Sequence, residues 1–195
     1  MRLILFPRFL LMAALFLTAA CASAPMERKV DLSFNHLEPV RLAVKEIRIV
    51  DAFIPSNQAP YLEQRLSPSP SEVIQRWAEK RFAAAGGYYY ATLRIEQASV
   101  VEQQLPRQTG LPRLWQDQAI AKHLGKMRVR LDIEKANEDV VSFIKAEVAR
   151  ERPIAESLSP AAVNQIDFML VENMIYDLDN EMMRQINRYL SDYLR

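Results

Sequence analysis

The chain has 195 residues, with 25 basic against 24 acidic side chains, half of its residues hydrophobic and a single cysteine. A near-neutral charge gives no electrostatic footprint for a nucleic-acid partner, and the apolar content excludes a disordered chain. One cysteine excludes a disulfide framework, and the length suits one domain able to bury a real core.

The N-terminus carries an address rather than a fold. Arg2 and Arg8 bracket the start of an apolar run, Phe9 to Ala20 is uninterrupted by charge, and Leu17-Thr18-Ala19-Ala20-Cys21 closes it. This is the pattern of a secretory signal ending in a bacterial lipobox, with Cys21 as the lipidated residue. The run is shorter than the about 20 apolar residues of a membrane span. Ordinary cleavage after Ala22-Ser23-Ala24 is the other reading, and it places Pro25 directly after the cut, where proline is poorly tolerated. Removing residues 1–20 leaves 23 basic side chains (25 less Arg2 and Arg8) against 24 acidic, a net charge near −1. Acyl chains on Cys21 would then hold the protein at a membrane in the cell envelope. Ala22, not Asp, follows the cysteine, which favours the periplasmic face of the outer membrane. The organisation expected is a signal peptide over 1–20, a lipidated cysteine and tether over 21–39, and a single α+β domain over 40–195.

Within that domain, Leu32 to Pro39 reads as a brief edge segment. Val40 to Phe53 alternates apolar and polar residues, and the phase slips near Lys45-Glu46, which predicts a strand with a bulge. Four prolines between Pro55 and Pro70 make the next stretch a loop. Ser69, Pro70 and Glu72 then spell an N-cap, a proline in the first turn and a capping box. Val73, Ile74, Trp77, Ala78 and Phe82 form the buried stripe of this helix, and Gly86-Gly87 is expected to stop it. Tyr88 to Val101 is rich in aromatic and β-branched residues and reads as a second strand. Leu105 to Gly125 reads as a long connection. Met127, Val129, Leu131 and Ile133 alternate with Lys126, Arg128, Arg130, Asp132 and Glu134, so a third strand has one buried and one wet face. Asn137-Glu138 turns it into a fourth strand, Val140 to Arg150. Ser159-Pro160 starts the last helix. Phe168, Val171, Ile175, Leu178, Met182, Ile186, Tyr189 and Tyr193 mark its inner face, and without Gly or Pro it extends toward Arg195, roughly 50 Å at 1.5 Å per residue. The order β-α-β-β-β-α predicts a two-layer α+β sandwich, an antiparallel sheet of about four strands covered by two helices.

Catalytic patterns are lacking. The sequence has no His-Glu-x-x-His helix, no Cys-x-x-Cys and no Gly-x-Ser-x-Gly elbow. Gly125-Lys126 fails as a phosphate loop because Ile120 stands where glycine is required. His36 and His123 read as loop histidines, and Asp177 and Asp179 as a solvated face of the last helix, since residues two apart point to different sides. No catalytic residue, no metal and no cofactor is expected, and the chain is not expected to be an enzyme.

One feature suggests binding. Arg107, Arg113, Lys122 and Lys126 stand against Asp117 alone, and Arg128 and Arg130 carry the charge onto the next strand. These residues suit anionic lipid headgroups or an acidic partner; an ordinary exposed strand face accounts for the same pattern. Trp115 either inserts at an interface or pins its loop to the core.

At these residues the chain resembles a known family. The lipobox, the first strand leading into a Pro-rich loop, Phe53-Ile54 and Tyr61-Leu62 ahead of Arg76-Trp77-Ala78-Glu79, and the hairpin followed by a long helix are similar to auxiliary lipoproteins of ABC-type lipid transport systems. The strand-strand-helix ending also resembles the lipopolysaccharide-assembly lipoprotein that plugs an outer-membrane barrel. The resemblance implies a small two-layer α+β fold without catalytic residues, working by binding lipid or an envelope partner such as a transport complex or an outer-membrane barrel. A structural lipoprotein that self-associates or docks through its last helix is the alternative, suggested by a second apolar row through Leu170, Met174 and Leu190.

Overall fold

In the computed structural model, which describes residues 32–106 and 117–195, chain order and space order coincide across the sheet. Strands β1 (Val40–Asp51), β2 (Phe82–Gln104), β3 (Ala119–Glu134) and β4 (Val140–Ala155) lie side by side in that order. Helices α1 (Pro70–Arg81) and α2 (Pro160–Tyr189) cover one face, and one contiguous core lies between the two layers. The two-layer α+β architecture is the one the element order predicts.

The pairing of β1 differs from the antiparallel expectation. β2–β3 and β3–β4 are antiparallel, but β1 runs parallel to β2, from Val40 opposite Phe82 to Asp51 opposite Ile95. The Pro-rich loop and α1 carry the chain back across the sheet face to the end from which β1 started, so the next strand must run the same way.

Local signals set the helix starts. The Ser69 hydroxyl accepts from the Glu72 amide at 3.3 Å, and the Glu72 carboxylate accepts from the Ser69 amide at 2.9 Å, completing the capping box. Val73, Ile74, Trp77, Ala78 and Phe82 are all buried. The helix does not wait for the glycines, however: it ends at Arg81 and the chain passes straight into β2 at Phe82. Gly86 and Gly87, at φ 83° and 155°, instead form a bulge inside β2. Between the pairs Leu42–Ala84 and Val44–Tyr89, β1 advances two residues and β2 five. A Cβ on Gly87 would lie 2.3 Å from the Ala43 carbonyl oxygen, so only glycine fits.

Three further boundaries move. Leu32 and Phe34 are buried in the core and no strand forms there, so the packed unit runs from Leu32 to Arg195. β3 begins at Ala119, which makes Lys122, His123 and Gly125 strand residues and shortens the expected connection. Ala121, His123 and Gly125 point inward, and so weak an apolar alternation hides the strand in the sequence. Helix α2 stops at Tyr189, a 3₁₀ turn follows at Ser191–Tyr193, and Leu194 pairs with Leu42 while the Arg195 amide donates to the Arg41 carbonyl at 2.9 Å. Leu170, Met174 and Leu190 are fully buried. The second apolar row is therefore core: α2 packs on β4 and β3, while α1 covers β2 and β1.

Candidate functional site

Among the described residues no element covers the sheet face opposite the helices, and its chemistry is ionic. On β3, Lys122 donates to Glu151 at 2.9 Å, Arg128 makes two bonds to Glu147 at 2.8 and 3.3 Å, and Arg130 reaches Asp132 at 2.6 Å. Lys126 is exposed on the same strand. The hydrogen bond from Arg128 holds the Glu147 carboxyl below the usual carboxylate range, and the same contact raises the guanidinium. Lys126, Arg128 and Arg130, expected on this strand, and Lys122, expected in the connection before it, line up on one surface, but β3 and β4 supply carboxylates to three of the four. Their face is charge-balanced. Cys21, Arg107, Arg113 and Trp115 lie outside the described residues.

The densest polar constellation, which periodicity did not reveal, sits where β1 and β2 meet the hairpin end of β3 and β4. Asp132 and Glu134 read as members of a wet face, yet both are 2% exposed. Glu134 accepts from Arg48 at 2.9 Å, from the Thr92 hydroxyl at 2.9 Å and from Arg94 at 3.4 Å. Asp132 accepts from Arg94 at 3.2 Å as well as from Arg130. A buried carboxylate is tolerated only when paired and hydrogen-bonded, and here three arginines converge on two acids. The Arg48 and Arg94 side chains are 42% and 43% exposed. Together with Val50, Thr92, Glu134, Glu138 and Val140 they line a shallow cleft of about 330 Å³. Beside it, the exposed Phe143 ring is covered by the Arg130 guanidinium 4.1 Å from its centroid. The only foretaste of this site in the sequence was an excess of charge on β3; its other half comes from strands whose register no periodicity gives.

Three sequence expectations change on the helix side. His123 is not a loop histidine: it lies on the inner face of β3, 1% exposed, with Nδ1 2.5 Å from Asp167 and Nε2 3.2 Å from Glu102. Burial alone would lower its pKa, but the hydrogen bond and charge of Asp167, then those of Glu102, outweigh it and raise the ring above its ordinary value. Asp179 is not solvated: it accepts from Trp77 Nε1 at 2.9 Å and from Arg81 at 2.7 Å, tying α1 to α2. Asp177 pairs with Arg150 of β4, which holds its carboxyl below the usual range. His36 does stay in an exposed loop, its ring 6.3 Å from that of Tyr176. Among the described residues no cluster of His, Cys, Asp or Glu has the arrangement to hold a metal ion, and no helix is long and apolar enough to cross a membrane.

No protein-family model matches the chain, and no curated protein matches it. Among solved structures it is similar to a minor lipoprotein from Acinetobacter baumannii, at 18% identity and a TM-score of 0.39, over 76% of this chain and 96% of that one. It is also similar to the rare lipoprotein B from Shewanella oneidensis, at 12% identity and a TM-score of 0.37, over 73% and 95% of the two chains. At scores this low, what the protein does has to be argued from its own residues.

Proposed function

We propose that this protein is a lipid-anchored component of the bacterial cell envelope that works by binding rather than catalysis, as an accessory in envelope lipid transport or outer-membrane assembly. The observation that carries the reading is the arginine-lined cleft on the ionic sheet face. Three guanidiniums meet the buried carboxylates of Asp132 and Glu134 and the exposed Glu138, 3.8 Å from Arg48, so the cleft is charge-balanced. The part-exposed Arg48 and Arg94 still present donors to solvent, and Val50, Val140 and Phe143 add apolar surface at the rim. That combination suits an anionic headgroup joined to an apolar chain, or the acidic edge of an envelope protein. Lys126, exposed on β3, would extend the same surface. The lipobox at Cys21 supports anchoring at the periplasmic face of the outer membrane, and acyl chains there would raise the concentration of the domain at the membrane, so that modest contacts suffice.

The test is extraction of the lipidated protein in mild detergent, with mass spectrometry of whatever accompanies it. A co-purifying lipid, barrel or transport subunit that is lost on Arg48→Gln/Arg94→Gln supports the proposal. Protein that emerges clean, or a companion retained equally by the double variant, refutes it. Docking through a free apolar face of α2 has lost its main support, since the second apolar row of that helix is inside the core.

A further inference from the structure

We propose that His123 is a proton-operated latch that holds the first turns of α2 on the sheet, closed while the ring is protonated and released when it loses its proton. Both ring nitrogens of His123 face carboxylate oxygens, Asp167 on one side and Glu102 on the other. A carboxylate offers only acceptors, so both nitrogens must carry a proton, and the ring that satisfies the site is the imidazolium. Loss of that proton turns one nitrogen lone pair toward a carboxylate oxygen and strips Asp167, whose side chain is 4% exposed, of its cationic partner.

What yields is decided by how α2 is held. From Pro160 to Met169, Asp167 is the one buried residue; the fully apolar inner row begins only at Leu170 and continues through Met174, Leu178, Met182 and Ile186. The N-terminal third of the helix is thus held by the His123 contact together with half-buried Ala162, Val163, Ile166 and Phe168, and the rest by full core packing. Among the described residues, the charged groups facing the ring are Glu102 on β2, Asp167 on α2 and Arg152, which stands opposite His123 in the β3–β4 register and is half-buried. Just outside the helix, the Ser157 hydroxyl donates to Asp117, which tethers the turn but contributes no packing.

The direction of the pH effect follows from the raised pKa of the ring. Stability from the latch is fully present below the ordinary imidazole value of 6.5 and is lost as pH rises through the higher folded value. Between the two, release becomes about tenfold easier per pH unit.

The experiment is hydrogen exchange on the full-length lipidated protein from about pH 5.5 to 9, with exchange corrected for intrinsic rates, comparing amides of residues 161–169 with those of 176–186. Protection of the first segment should fall about tenfold per pH unit above about 6.5 and then level off, while the second segment stays constant. Glu102→Gln, at a side chain only part-buried, should make the profile level off at lower pH with a smaller total loss, and His123→Gln should flatten it. A flat wild-type profile, simultaneous loss in both segments, or an unchanged slope in His123→Gln overturns the proposal. NMR titration of the wild-type ring, assigned against His36→Gln, gives an answer even if His123→Gln does not fold: titration at or below 6.5 overturns it as well.

Discussion

Asp179 offers the sharpest test of the packing between the two helices. Its carboxylate accepts from the Trp77 indole and the Arg81 guanidinium, and the Arg81 and Asp179 side chains are each 12% exposed. Asp179→Ala removes both bonds at once, leaving a fully buried indole N–H without an acceptor and a largely buried guanidinium without a counter-charge. Breaking one partner of a buried ion pair costs about 3–5 kcal/mol. Arg81 also donates to the Glu38 carbonyl, which retains one acceptor and argues for the lower end, about 3 kcal/mol. For a domain of this size that is a fall in Tm on the order of 10 °C. Asp179→Asn keeps an oxygen for the indole while removing the charge, and should fall between wild type and Asp179→Ala. Asp177→Ala is the internal control: its pair with Arg150 is about one-third exposed on both sides, so its loss should cost about 1 kcal/mol or less. Urea unfolding followed by far-UV circular dichroism measures all three. An Asp179→Ala variant within about 1 kcal/mol of wild type, or one matched by Asp177→Ala, would refute the assignment of Asp179 as the clamp between α1 and α2.

The two constrained glycines give complementary predictions. Gly87→Ala combines a glycine-favouring φ with a backbone overlap at Ala43, and should destabilise by at least about 2 kcal/mol, with early loss of β1–β2 amide protection in hydrogen exchange. Gly125→Ala places its Cβ 2.3 Å from the Met174 sulfur; overpacking costs about 1–3 kcal/mol, and Met174→Val in the same chain should recover part of it, which a double-mutant cycle reads directly. The lowered pKa of Asp177, caused by the Arg150 hydrogen bond, means that this pair stabilises above the ordinary carboxyl value of 3.8 and stops doing so as pH falls through the lower folded value. An NMR titration of Asp177 that shows no upward shift in Arg150→Gln would contradict that cause.

The binding surface and the latch lie on opposite faces of the sheet and fail independently. Arg48→Gln/Arg94→Gln alters the open face without touching His123, and Glu102→Gln alters the latch without touching the cleft. Partner capture that follows the first pair and hydrogen exchange that follows the second would support each proposal separately.

By itself the sequence determined the features set by near neighbours. The element order, the Ser69 capping box, the slip in β1 near Lys45-Glu46, the inward row Met127, Val129, Leu131 and Ile133, and the hairpin turn at Asn137-Glu138 all rest on backbone preferences and periodicities spanning a few residues. Only the tertiary structure decided what depends on register and on contact between distant segments. The parallel direction of β1 follows from the path of α1, and the glycine pair becomes a bulge because Ala43 lies across from it. His123 meets Asp167 across 44 residues, Arg48 meets Glu134 across 86, and Trp77 meets Asp179 across 102. A charged residue on an alternating strand or an amphipathic helix carries the same local signal whether it ends in solvent or beneath a partner. Its burial is set by which strand lies beside it and in what register, and no window of a few residues contains that information.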